Sequence, residues 1–176
     1  AVRQHLAEQP SASGDLGDLG GGFADFLASY APAASQPVLP DLARLEWAVH
    51  RAFHAADAPA QTAQTLSTIA PQDLERLVLH ALPGTQLIRS PWPLLALWRA
   101  HQPATETDMP EVVAGATRTV LVWREELETA LLELDAAEAC LVEVMLNKEP
   151  LPGALERSPF QDHPDAGPLF MQTLQQ

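Results

Sequence analysis

The sequence predicts an α+β domain, mostly helical, with a small antiparallel sheet of about four strands, arranged as two hairpins and packed by helices on one face. Three observations predict it. Leu39 to Asp57 carries apolar residues at helical spacing, two pairs of short segments alternate around turn signals, and a capped helix signature follows the second pair. At 176 residues and 47% hydrophobic content the chain can bury a core. No internal repeat recurs at a period of about 20 to 50 residues.

Taken in order, residues 1–38 read as a remnant of a helical domain plus a linker, and residues 39–176 as the α+β domain. The first part holds a short helix, a glycine-rich stretch from Gly14 to Gly22, a helical turn around Phe23 to Tyr30 and a Pro/Ala/Ser linker. No strand signal precedes those glycines and no Gly-Lys-Ser/Thr follows them, so they are not read as a phosphate loop. In the helix over Leu39 to Asp57, Leu42, Leu45, Val49, Phe53 and Ala56 form one stripe, Asp41 is placed to cap the start and Pro59 to end it. Leu77 to Leu82 and Thr85 to Ser90 read as strands around Pro83-Gly84, because Pro pre-sets φ and Gly accepts the positive φ that follows. Pro91 to Gln102 reads as a helix presenting Leu94, Leu97 and Trp98, and His101 to Thr117 as a polar loop. Arg118 to Glu125 and Glu128 to Asp135 form the second expected hairpin. Asp135 with Glu138 three residues later resembles a capping box for a helix running to about Asn147, with Leu141, Val144 and Met145 inward. Prolines 150, 152, 159, 164 and 168 leave room for one or two short helices in the tail.

Charge divides the chain. The net charge is −13, and residues 106–165 hold 14 acidic and 4 basic side chains, whereas residues 41–101 are neutral. Phosphate backbones and anionic membranes are bound through Lys and Arg, so this balance argues against nucleic acid and against a membrane surface as partners. The acidity is expected to form a solvated face. The longest apolar runs, Pro91 to Trp98 and Val120 to Trp123, are much shorter than the roughly 20 residues of a spanning helix. The chain opens Ala1-Val2-Arg3-Gln4-His5, without the basic start and apolar run of a secretory signal and without Met, which predicts a trimmed or processed start. A single cysteine, Cys140, is expected to be a small buried thiol in a reducing, cytoplasmic setting.

Chemistry-bearing residues are few. Glu46, His50 and His54 follow at four-residue spacing on one helical edge with Asp57 near, a pattern a divalent metal can use, yet one helix supplies too few converging ligands. The edge is therefore read as polar packing. No Gly-x-Ser-x-Gly elbow exists, Cys140 falls mid-helix, and Glu125, Glu126 and Glu128 fall at a turn where they are expected to be solvated. The expectation is a non-catalytic protein with no metal and no cofactor of its own. The four tryptophans, Trp47, Trp92, Trp98 and Trp123, are candidates for core or interface, and Arg99 and Arg124, each directly after a Trp, for binding a carboxylate or phosphate. The expected partner-contact residues are Trp47, His50 and His54 on the helix edge, with Trp98 and Arg99 as a second patch.

The run Leu39-Pro-Asp-Leu-Ala-Arg-Leu-Glu-Trp-Ala-Val-His-Arg-Ala-Phe-His-Ala-Ala-Asp-Ala-Pro59 resembles the HvfC/BufC family, and the likeness continues through Leu79-His-Ala-Leu-Pro83, Ser90-Pro-Trp-Pro93, Ala96-Leu-Trp-Arg-Ala-His-Gln102 and Val120-Leu-Val-Trp-Arg124. It covers most of residues 13 to 157. The resemblance implies a bacterial two-domain protein, helical then α+β, of whose first domain only the end is present here, around Asp15-Leu16-Gly17 and Phe26-Leu27. It further implies an adaptor for a multinuclear non-haem iron oxidative enzyme that modifies cysteines in ribosomally made precursor peptides, helping to present the peptide. The family's older label, a DNA-binding transcriptional regulator, is the alternative, and would act through the missing first domain.

Overall fold

The computed structural model describes residues 1–8, 18, 20–59, 68–74, 76–102, 108–150 and 152–157. Helix α1 covers Val2–Glu8 and α2 Phe23–Ser29, followed by a 3₁₀ turn at Ala31–Ala33. The long helix α3 is Leu39–Phe53, and α4 is the single turn Pro71–Leu74. Then come β1 (Gln86–Ser90), α5 (Leu94–Ala100), β2 (Arg118–Glu125), β3 (Glu128–Leu134), α6 (Ala136–Asn147) and α7 (Pro152–Arg157). The α+β class is as expected.

The sheet has three strands in the order β1-β2-β3, all antiparallel, where the sequence suggests four. The strand that is missing is Leu77 to Leu82. Its Pro83-Gly84 turn forms as anticipated, with Gly84 at φ 80° and the Thr85 N–H donating to the Leu82 carbonyl at 3.1 Å, the geometry of a type II turn. The residues before it do not fold back on β1. Leu77 and Leu79 pack against Leu141, Val144 and Met145 of α6, the Ala81 N–H donates to the Met145 carbonyl, and Val78 makes an isolated bridge to Pro150. The alternation is real, but a helix rather than a strand satisfies it.

The main core lies between one sheet face and the helices α3 and α5. Leu45, Ala48 and Ala52 of α3, Leu94, Leu95 and Leu97 of α5 and Val120 and Val122 of β2 are buried together, with Ile88 and Leu131 packed against them. The second face is covered too: α6 touches all three strands, and Arg89, which points away from the Ile88 side, pairs with Glu143 of α6. The expectation of a sheet covered on one face is corrected accordingly. A second cluster, Phe26, Leu27 and Ala33 with Leu39 and Ala43, binds α2 to α3.

Helix α3 departs from the predicted stripe at its end. Phe53 is 54% exposed and Ala56 is exposed, while Ala48 and Ala52 are wholly buried. Small side chains face the sheet because the Pro83-Gly84 turn and β2 approach the helix closely. The helix also stops at Phe53 rather than near Asp57, since Arg124 of β2 takes the Ala55 carbonyl as acceptor at 2.6 Å and pairs with Asp57. Asp41 does not cap the helix. It sits in the first turn, where its carboxylate accepts from the buried Ser90 hydroxyl at 2.7 Å and from Arg44 at 2.6 Å, tying β1 to α3.

At α6 the capping box is complete: the Asp135 carboxylate accepts from the Ala137 and Glu138 N–H groups, and Glu138 accepts from the Asp135 N–H at 2.7 Å. The other end is a Schellman closure, with Glu149 N–H bonded to the Val144 carbonyl and Lys148 N–H to that of Met145. Lys148 holds the left-handed position there, at φ 56° and ψ 40°. Glycine occupies that conformation without the Cβ penalty, so Lys148→Gly is expected to stabilise the protein by about 0.5–1 kcal/mol, read as a rise in Tm of about 1–4 °C. Cys140 is half-buried on α6, between the buried Ala139 and Leu141, and is less enclosed than expected.

Candidate functional site

The amphipathic geometry of α3 gives it two working sides. One carries Leu45, Ala48 and Ala52 into the core, and another carries Glu46, Trp47 and His50 towards α1 and α2. Between them lies a cleft of about 450 Å³. Val2, His5 and Leu6 of α1 form one wall, Phe23 and Gly20 the end, and Ala43, Glu46, Trp47 and His50 of α3 the other wall. Most of these side chains offer carbon. Among the described residues that line it, Glu46 alone is a carboxylate and none is Lys or Arg.

Aromatic contacts hold the walls. The rings of Trp47 and His50 stack with centroids 5.1 Å apart and planes 18° from parallel, and His50 meets His54 at 4.6 Å. Across the cleft, His5 is buried with Phe23 and Phe26, each 5.3 Å away, and Phe26 stacks on Tyr30. Gly20 is present for lack of a side chain: a Cβ built there comes within 2.6 Å of Trp47 Cζ3, so the indole occupies the space another residue would need.

Glu46 keeps an exposed surface, yet its apolar surroundings in the cleft screen it from water in part, and this burial raises its carboxyl above the ordinary 4.5. The charge of His101, just beyond α5, acts the other way and less. The folded chain thus holds this proton more tightly than the unfolded chain. Stability from this group is present below pH 4.5 and is given up as pH rises through the raised value, so Glu46→Gln should flatten that part of a Tm profile measured from pH 4 to 7.

The expected contact residues are thus divided. Trp47 and His50 line the cleft, whereas His54 stands outside it, exposed, between His50 and Phe53. Trp98 is half-buried against the main core, and Arg99 is exposed beside it on α5. On this helical edge the rings of Trp47, His50 and His54 pack in succession, and among the described residues no group of three or more His, Cys, Asp or Glu is placed to hold a metal. Arg124 is committed within the fold, to Asp57 and the Ala55 carbonyl, and walls a second hollow of about 510 Å³ with Pro83 and Trp123. His5, Phe23 and Gly20 carry no local signal in the sequence, because the cleft arises from α1 and α2 docking on α3. Most of the glycine-rich stretch lies outside the described residues.

Comparison with family models, with curated proteins and with solved structures found no match to this chain. Fold and site define an α+β module that presents an aromatic, carbon-walled cleft. Among the described residues no helix is long and apolar enough to cross a membrane.

Proposed function

We propose that this chain is a non-catalytic partner protein that binds a multinuclear iron oxidative enzyme, its ribosomally made precursor peptide, or both. One observation carries the reading: Trp47 and His50, which lie in the segment that resembles the HvfC/BufC family, line an open apolar cleft of a size that takes two or three side chains. A cleft of this make-up suits binding of a peptide segment, because burial of apolar surface supplies affinity while aromatic faces and one charge set orientation. Any metal chemistry in such a pair belongs to the enzyme.

The test is co-expression of the chain with an iron enzyme of this class and its precursor peptide, followed by affinity capture and mass analysis of the peptide. A stable complex, and a mass change that needs both proteins, is the expected result. Neither complex nor mass change, with duplex DNA bound instead, would overturn the reading in favour of the regulator.

A further inference from the structure

The cleft carries one carboxylate among the described residues. Glu46 stands among carbon groups, and among the described residues no Lys or Arg pairs with it; Arg44, two residues before it, is taken by Asp25 and Asp41. The titratable groups around Glu46 are His50, one turn along the same helix, His5 of α1, which lines the same cleft, and His101 after α5, whose charge acts on it. A carboxylate at an apolar wall with no Lys or Arg on it is open to a charge-assisted hydrogen bond from an incoming cation. The indole beside it, Trp47, adds an aromatic surface that attracts the same kind of charge. The α1 wall of the cleft offers apolar surface as well: Val2 and Leu6, one helical turn apart, are 57% and 38% exposed.

We propose that the cleft between α1 and α3 takes a basic amphipathic peptide segment, seating apolar side chains on Trp47, Phe23 and Leu6 and a neighbouring Lys or Arg on Glu46. The inference deepens the partner reading and rests on it for the peptide nature of the occupant. The net charge of −13 favours the approach of such a segment, but among the described residues only Glu46 makes the cleft itself selective.

The probe is a short fluorescein-labelled peptide with leucines at helical spacing and lysines beside them, compared with a twin carrying glutamate for each lysine. Anisotropy titrations are run at about 0.15 M salt, where the screening length is about 8 Å and distant acidic groups count little. The lysine probe is expected to bind the wild-type chain about tenfold or more tighter than its twin, with that preference lost in Glu46→Gln and reversed in Glu46→Lys. Because Glu46 is exposed, these variants are expected to fold, which their Tm checks. Equal binding of the two probes, or a preference that survives Glu46→Gln, overturns the assignment. Enzyme capture run in parallel separates the two proposals. Charge-blind probes with the enzyme still captured sink the cleft assignment alone. A Glu46-dependent preference without enzyme capture upholds the cleft and sinks the enzyme-partner reading.

Discussion

Leu45→Ala is expected to lower stability by about 2–5 kcal/mol, the range for emptying a fully buried leucine site, and to lower Tm by about 5–15 °C in a chain of this size. Leu45 has no exposed surface and sits where α3 meets α5 and β2, so little can relax into the space it leaves. The informative comparison is Phe53→Ala on the same helix. Both residues belong to the stripe read from the sequence, yet Phe53 is 54% exposed and its loss should cost about 0.5 kcal/mol or less. Equal losses in urea or thermal unfolding would mean that α3 faces the sheet with a different side from the one described.

Gly84→Ala is expected to cost about 2–5 kcal/mol from two separable sources. The left-handed φ of 80° penalises any Cβ by about 1–2 kcal/mol. The new methyl also comes 2.6 Å from the Ala55 Cβ and 3.0 Å from the Ala52 Cα, and overpacking of that kind adds about 1–3 kcal/mol. A double variant, Gly84→Ala with Ala55→Gly, removes part of the overlap but none of the φ cost. It should recover part of the loss, the difference appearing as a coupling energy in a double-mutant cycle. Complete recovery would show that backbone conformation contributes nothing at this turn.

These two positions also show what was legible in the sequence. Pro83-Gly84 announced its turn through the fixed φ of one residue and the freedom of the other, and the Asp135–Glu138 box announced α6, because both signals are local and a single bond or torsion satisfies them. The hairpin of β2 and β3 was legible from alternation around the acidic tip for the same reason. Leu77 to Leu82 misled because alternation states that one side is buried without stating by what, and here α6 does it. The choice of Ala48 and Ala52 over Phe53 depended on how closely the Gly84 turn approaches α3, a distance no periodicity encodes. Trp47 and His50 could be picked from the edge of a helix, but their opposite wall, His5 and Phe23, is built from residues remote in sequence. Trp98 and Arg99 stand side by side on α5, the indole half-buried against the core and the guanidinium exposed.

Helix α3 is shared by the core and the cleft, so its two sides answer to one equilibrium. An occupant that grips Trp47 and His50 binds only chains whose α3 is docked through Leu45 and Ala48, and it therefore holds the whole domain folded. Saturation at a hundred times Kd would add about 2.7 kcal/mol and raise the melting temperature. By the same reciprocity, a lesion that undocks α3 weakens the grip on the occupant from the far side of the helix, so loss of binding in a variant does not by itself place the altered residue in the cleft.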